Sequence, residues 1–245
     1  MNNLLIACPS TGGEEAAVES WQTTASTGLT CVIDSTIEGE GAGYLQKVQR
    51  IYEKFDHDII AYFHSDLFIY QQGWNDMVLL EFEDPDVAVA GFFGATGIGH
   101  QAIVNGEPYH FTHLGRYDPV SNMLNAEEHG RRLTVPRDVA VLDSLSVIVR
   151  RSFLDEVGGW PVDRYPPSHC SDLWISLMAR RLGRKVRFIP ASIAHKGGGT
   201  AGDGTFSYPQ WIAETKWKSD AECHRISHEL IYSEFRDLMP FIVEG

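Results

Sequence analysis

Residues 58–66 constrain the fold more than any other stretch, because they form a short apolar run that ends abruptly in a histidine and a carboxylate. An apolar run of this length between polar residues is typical of a strand that is buried on both faces of a parallel sheet. In open α/β sheets, ligands bind outside the carboxyl ends of the strands. The position of Asp66 therefore predicts a contact with a divalent cation or a ligand hydroxyl, although the same carboxylate is also compatible with the start of a turn.

The segments before this strand alternate between apolar runs and helical patterns. Residues 4–8 and 29–34 predict strands, and the second of these also ends in a carboxylate, Asp34. Residues 14–24 and 44–55 predict the intervening helices. A β-α-β-α-β order implies a parallel sheet with right-handed crossovers. The motif G-x-G-x-x-G is absent after the first strand, which argues against a dinucleotide-binding Rossmann domain.

The rest of the chain predicts further elements around the same sheet. In chain order we expect a helix ending near residue 82, a strand at 87–92, a long loop or subdomain over the edge of the sheet at 94–132, a strand pair or bent strand at 139–151, a short helix ending at 158–159, a helix at 172–182, short strands at 186–189 and 191–195, and a mostly helical tail at 208–244. Loops this long inside a compact domain are usually functional. We expect His100, His110 and His113 to line an acceptor site.

Composition narrows the possible partners. The net charge of −13 argues against a large surface for phosphate contacts with nucleic acid, and an acidic protein commonly binds an anionic ligand through a metal bridge. No run of eighteen apolar residues is present, so we expect no stable membrane insertion. The N-terminus has no basic region typical of a secretory signal, and the four cysteines are widely scattered. These features favour the reducing cytoplasm.

Four stretches follow one another along the chain: residues 62–67 (YFHSDL, with Trp74 downstream), 87–94 (VAVAGFFG), 141–160 (VLDSLSVIVRRSFLDEVGGW) and 171–200 (SDLWISLMARRLGRKVRFIPASIAHKGGGT). In this order they resemble inverting GT-A glycosyltransferases of the family 2 type, closest to the branch named for the streptomycin-biosynthesis protein StrF. The likeness covers about residues 3–95 and 138–200.

The resemblance implies an α/β fold of the GT-A (Rossmann-like) type, a three-layer sandwich with a mostly parallel central sheet and a helical C-terminal extension. The implied catalytic domain covers residues 1–205, and the extension covers 206–245. Within the catalytic domain, the nucleotide-sugar-binding half is 1–95, the variable loop region is 96–137, and the acceptor and catalytic half is 138–205. The implied reaction is a metal-dependent, inverting transfer of a sugar from a nucleotide-diphosphate sugar to an acceptor hydroxyl.

Such a transfer needs a cation to stabilise the leaving diphosphate and a base to deprotonate the acceptor hydroxyl. The resemblance implies that Asp66 and His195 bind the metal, Mn²⁺ or Mg²⁺, and the imidazole favours Mn²⁺. It implies that Asp172 is the base, with His169 as a rival. At the start of a helix, Asp172 would be kept ionised by the helix dipole. The residues implied to contact the nucleotide sugar are Pro9, Ser10, Thr11, Asp34, His64, Ser65 and Asp143.

The chain departs from the family pattern at three positions. His64 replaces the first Asp of the usual metal motif, Ser171 replaces the acidic neighbour of the base, and Leu45 replaces an Asn of the second helix. Two alternatives stay open: a catalytically inactive nucleotide-sugar-binding domain and a nucleotidyltransferase of similar fold. The second is disfavoured because residues 9–13 contain no basic side chain. UDP is the expected nucleotide, although no residue pattern in the sequence identifies the base. A saccharide, a small molecule, a protein or a modified DNA base could be the acceptor.

Overall fold

A computed structural model describes residues 3–10, 12–36, 43–99, 102–104, 107–109, 117–125, 130–196 and 220–243. The helices within these residues are α1 (Glu15–Thr24), α2 (Tyr44–Lys54), α3 (Trp74–Glu81), α4 (Arg151–Val157), α5 (Ser171–Arg181) and α6 (Asp220–Phe235). The strands are β1 (Leu4–Pro9), β2 (Thr30–Asp34), β3 (Ile59–Phe63), β4 (Leu67–Ile69), β5 (Val87–Gly91), β6 (Phe93–Ile98), β7 (Ala102–Val104), β8 (Glu107–Tyr109), β9 (Tyr117–Ser121), β10 (Arg137–Asp138), β11 (Val141–Leu142), β12 (Ser146–Arg150), β13 (Lys185–Phe188), β14 (Ile193–His195) and β15 (Phe241–Ile242).

The central sheet has seven strands in the order β10-β13-β5-β12-β3-β1-β2. Strands β1, β2 and β3 are parallel neighbours, and β13 is parallel to β5. Strand β12 runs antiparallel between β3 and β5, and β10 runs antiparallel to β13. The five strands of this sheet other than β10 and β12 therefore run in one direction. This confirms the predicted α/β class with a mostly parallel sheet.

The buried strands supply side chains to both faces of this sheet, because successive residues of a strand point in opposite directions. Ile60 and Tyr62 belong to the core cluster that includes side chains from α2, α4, α5 and α6. Ala61 and Phe63 belong to the opposite cluster, which includes side chains from α1 and α3. Helices on both faces form the predicted three-layer sandwich, and burial on both faces explains why β3 is a continuous apolar run.

Phe63 is the centre of an aromatic cluster on the second face. It is fully buried, and its ring centroid lies 5.3 Å from Trp21, 5.4 Å from Trp74 and 5.7 Å from Phe92. We expect Phe63→Ala to lower the free energy of unfolding by about 3–5 kcal/mol, because a cavity would replace the ring. Urea denaturation measures this change. Leu80→Ala is the control at a 63% exposed position on α3, with an expected change within about 0.5 kcal/mol. Equal effects of the two substitutions would contradict this packing.

A short antiparallel pair lies at the carboxyl end of β3. Strand β4 follows a turn at residues 65–66 and pairs with β14, so that Leu67 lies opposite His195. The sequence analysis did not predict β4, since a strand of three residues carries too few side chains to show a period of two. This pairing brings the end of β14 next to the end of β3.

The C-terminal residues are partly as predicted. Helix α6 packs on the first face of the sheet, where Ile231 and Phe235 join the core. A 3₁₀ turn at Arg236–Leu238 follows, and β15 then pairs antiparallel with β6. The boundary at residue 205 stays a prediction. None of the helices within the described residues is long and apolar enough to cross a membrane.

Candidate functional site

Three of the predicted residues form a compact group at the carboxyl end of β3. His64 and Asp66 follow this strand, and His195 ends β14. One potential ligand atom from each residue lies within 4.8 Å of the other two. Asp66 Oδ1 is 3.2 Å from His195 Nε2, and these side chains are 24% and 29% exposed. The group can therefore hold a metal ion and remain accessible to a ligand.

The charges within this group suit a divalent cation. Burial lowers the pKa of His64, which favours the neutral imidazole that binds metals. Burial opposes ionisation of Asp66, but the hydrogen bond and charge of His195 outweigh it and lower the pKa of the carboxyl. Burial alone would lower the pKa of His195, yet the hydrogen bond and charge of Asp66 raise it overall. A carboxylate beside two imidazoles fits Mn²⁺ better than Mg²⁺, which prefers oxygen ligands alone.

The predicted base lies at the same edge of the sheet. Asp172 is the second residue of α5 and is 5% exposed. Its Oδ2 accepts a hydrogen bond of 2.9 Å from the backbone N–H of Ser144, in the turn between β11 and β12. In the same turn, Asp143 Oδ1 accepts a bond of 3.1 Å from the backbone N–H of Leu145. This turn fixes the direction of both carboxylates.

The turn at residues 143–145 also connects Asp172 to the His64, Asp66 and His195 group. The backbone N–H of His64 donates to the carbonyl of Leu145 at 3.1 Å. Burial lowers the pKa of His64 and the negative charge of Asp143 opposes this effect, whereas for His195 the charge of Asp143 adds to that of Asp66, which raises the pKa. The predicted metal ligands and the predicted base therefore share one edge of the sheet.

Tyr44 is a site residue that the sequence analysis missed. It is the first residue of α2, and its ring packs edge-on against the His64 ring with centroids 5.8 Å apart. Burial, followed by the charges of Asp172 and other groups, raises the pKa of Tyr44 well above its usual value. Tyr44 thus lies close to both His64 and Asp172. Its only signal in the sequence is an aromatic side chain directly after a Gly-rich segment.

The predicted nucleotide contacts lie at the ends of the neighbouring strands β1 and β2. Pro9 is paired with Asp34, whose carbonyl accepts a bond of 3.0 Å from the backbone N–H of Ser10. The Asp34 carboxylate accepts hydrogen bonds from Arg50 Nε at 3.0 Å and Arg50 Nη2 at 2.8 Å, and a third from the Thr36 hydroxyl. Burial acts to raise the pKa of Asp34, but these bonds lower it overall. Asp34 is therefore an ionised group at the rim of the site.

The remaining predicted residues differ in their placement. Ser65 is in the turn between His64 and Asp66 and is partly exposed. His169, the rival base, lies two residues before the start of α5 and packs its ring against His224 of α6, with centroids 5.1 Å apart. Thr11, His100, His110 and His113 lie outside the described residues.

Lys47 is a second residue that the sequence analysis missed. It projects from α2, is 1% exposed, and its Nζ donates a hydrogen bond to the carbonyl of Ser10. Burial lowers its pKa, although the charge of Asp34 opposes this effect. Lys47 thus fastens α2 to the end of β1, where the nucleotide is predicted to bind.

We expect Lys47→Met to lower the free energy of unfolding by about 1–3 kcal/mol, because the buried Ser10 carbonyl would lose its donor while the apolar stem is retained. Urea denaturation measures the change. Lys54→Met, at the exposed end of the same helix, is the matched control and should change stability by less than about 0.5 kcal/mol. Equal stability of the two variants would show that the bond to Ser10 contributes nothing.

The sequence matches no profile of a known protein family, and no curated protein matches it. Among solved structures, the chain is similar to GalNAc-T7 with UDP, GalNAc and Mn²⁺, at a TM-score of 0.51 and 12% identity over 80% of this chain and 44% of that one. It is also similar to a Drosophila β1,4-galactosyltransferase 7 mutant with manganese, UDP-Gal and xylobiose, at a TM-score of 0.46 and 13% identity over 89% and 81%. For TarS from S. aureus, the TM-score is 0.42 and the identity 11% over 78% and 58%.

The likeness to GalNAc-T7 shows a shared fold, and it confirms the predicted GT-A (Rossmann-like) class. The chain spans less than half the length of that protein. The chain therefore shares the GT-A fold of GalNAc-T7, and His64, Asp66 and His195 form a candidate metal site.

Proposed function

We propose that the chain is a metal-dependent, inverting glycosyltransferase that moves a sugar from a nucleotide-diphosphate sugar to an acceptor hydroxyl. One observation carries this proposal. A His-Asp-His group suited to a divalent cation lies at the carboxyl edge of the sheet, and the turn at residues 143–145 connects it to the buried carboxylate of Asp172. Ligands of open α/β sheets bind at this edge.

Asp66, His195 and His64 would hold the cation, and Mn²⁺ fits their mixed set of one carboxylate and two imidazoles. When bound, the cation would supply positive charge that stabilises the leaving diphosphate. Asp143 keeps negative charge close to both histidines, which favours a cation at this position. His64 stands where the family motif has its first carboxylate. The proposed ligands of this protein therefore carry one negative charge fewer than those of the motif.

Asp172 would accept the proton of the acceptor hydroxyl. As the O–H bond breaks, the acceptor oxygen forms the new bond to the anomeric carbon, and the bond from that carbon to the diphosphate breaks on the opposite face. The proton stays on Asp172, the electron pair leaves with the diphosphate, and the configuration is inverted. The hydrogen bond from Ser144 N–H holds one oxygen of Asp172 in place for this step.

The nucleotide would lie over the ends of β1 and β2, where Asp34 is partly exposed, Pro9 and Ser10 are buried, and Thr11 follows directly in the sequence. Ser65 and Asp143 would contact the sugar-diphosphate part, together with His64. UDP is the proposed nucleotide, supported by the UDP in the GalNAc-T7 structure.

We assign the chain to the StrF-type branch on the four sequence stretches given above, and we place its activity in the cytoplasm. Within the described residues, Cys8, Cys31, Cys170 and Cys223 are free cysteines. The proposed acceptor classes remain a saccharide, a small molecule, a protein and a modified DNA base.

A panel of nucleotide sugars tests the proposal. The purified protein is incubated with each donor and Mn²⁺, and release of the nucleoside diphosphate is measured with and without EDTA. We expect one donor class to be hydrolysed slowly in the presence of Mn²⁺ and not after chelation. Binding of UDP with no turnover of any donor would favour an inactive binding domain, and release of pyrophosphate from a nucleoside triphosphate and a sugar phosphate would favour a nucleotidyltransferase. Either result would overturn the proposal.

A further inference from the structure

A second group of histidines lies where α6 meets the loop that leads into α5. His224 and His228 are one helical turn apart on α6, and their Nε2 atoms are 3.2 Å from each other. Their ring centroids are 4.4 Å apart. His169 belongs to the loop, and its ring meets the His224 ring edge-on at 5.1 Å. Three imidazoles from two elements are thus in contact.

The distance between the two Nε2 atoms restricts their chemical state. Two protonated nitrogens at 3.2 Å would repel each other, so the pair must share one proton or bind one cation through both lone pairs. Zinc bonds to imidazole are about 2.0–2.1 Å long, which places two ligands of a tetrahedral ion roughly 3.3 Å apart. Histidines at positions i and i+4 of a helix are a spacing that zinc sites use.

The surroundings indicate a built site instead of a chance contact. His228 is 3% exposed, and the neighbouring thiols of Cys170 and Cys223 are also buried. Ser227 Oγ donates to the carbonyl of Ser168 at 3.3 Å, which holds α6 against the loop. His169 and Cys170 have φ angles of 73° and 61°, and a left-handed conformation at a residue other than glycine costs of order 1 kcal/mol or more. The surrounding structure enforces this conformation in the loop that carries His169.

We propose that His224 and His228 bind a divalent transition-metal ion of the zinc class through their Nε2 atoms. His169 packs against His224, but within the described residues these three imidazoles do not form a three-ligand group like that of His64, Asp66 and His195. The site is separate from that group, and it does not depend on the proposed glycosyl transfer. A pair of imidazoles without a carboxylate prefers Zn²⁺ to Mn²⁺ or Mg²⁺. Bound metal would lie beside the loop that carries His169, three residues before Asp172.

Zinc titration of the full chain tests this site. The protein is stripped with a chelator, and Zn²⁺ is added in competition with a chromophoric chelator. The titration uses the double variant Asp66→Asn/His195→Gln, which disables the other possible metal site. We expect this variant to bind one equivalent of Zn²⁺. Adding His224→Gln to it should weaken that binding by about 100-fold or more, because one of two closely placed ligands is lost. His57→Gln, outside both groups, is the matched control and should leave the affinity unchanged.

Thermal unfolding supplies a second measurement. At a Zn²⁺ concentration of about 100 times Kd, the double variant should melt at a temperature higher by roughly 5–10 °C, and His224→Gln should remove this shift. Circular dichroism establishes that each variant is folded. A double variant that binds no zinc, or a His224→Gln form that binds it as tightly, would show that the pair shares a proton and would overturn the proposal. Neither result bears on Mn²⁺-dependent donor hydrolysis, which is measured separately on the unsubstituted protein.

Discussion

Asp66→Asn is expected to lower Mn²⁺-dependent hydrolysis of the donor by roughly 100- to 1,000-fold. Asn keeps the size of the side chain and removes its charge. Asp66 is the carboxylate of the His64, Asp66 and His195 group, so its loss leaves two neutral imidazoles to hold the cation. A metal that stabilises the leaving diphosphate contributes several kcal/mol, and each 1.36 kcal/mol is a factor of ten in rate.

The measurement is release of the nucleoside diphosphate over a range of Mn²⁺ concentrations. We expect the variant to need a much higher Mn²⁺ concentration and to bind Mn²⁺ more weakly in a direct titration. Asp56→Asn is the matched control, since it makes the same change at an exposed position three residues before β3. A variant with wild-type turnover and wild-type Mn²⁺ dependence would show that Asp66 begins a turn and has no role in metal binding.

The part of the site at the end of β3 could be predicted from the sequence. An apolar run buried on both faces requires a central strand, and the carboxylate at its end must then lie at the ligand-binding edge. The position of Asp66 follows from these two steps alone. The predicted helices and strands of the first 66 residues agree with the structure within a residue or two at each end, because each has a clear apolar period.

The pairing of β14 with β4, which brings His195 to Asp66, could not be predicted in the same way. His195 reaches Asp66 because β14 pairs with β4, and each of these strands has only three residues. Such short strands are specified by the tertiary structure more than by their own side chains. The resemblance implied a role for His195, but no local pattern placed it beside Asp66.

The start of α5 shows a similar limit. Ser171 is the first residue of this helix, and the preceding Cys170 has a left-handed conformation without a side-chain cap. The loop packed against α6 determines this backbone. In contrast, the spacing of His224 and His228 is a local signal that was present in the sequence and was not used.

Asp172→Asn is expected to lower the rate of donor hydrolysis or transfer by roughly 100- to 10,000-fold, which is the usual contribution of a general base. Binding should persist, because the substitution leaves His64, Asp66 and His195 intact. Asn is close in volume to Asp and retains a side-chain oxygen that can accept the bond from Ser144 N–H, so the 5% exposed position should remain filled.

The effects on binding and on rate distinguish Asp172 from Asp66. Calorimetry with UDP and Mn²⁺ should give affinities within about threefold of wild type for Asp172→Asn, whereas Asp66→Asn should lose Mn²⁺ affinity together with rate. Asp163→Asn, an exposed carboxylate in the segment before α5, is the matched control and should retain full turnover. If Asp172→Asn keeps its rate, another group accepts the proton. If it loses UDP and Mn²⁺ binding as well, Asp172 supports the donor site and its role as a base is refuted.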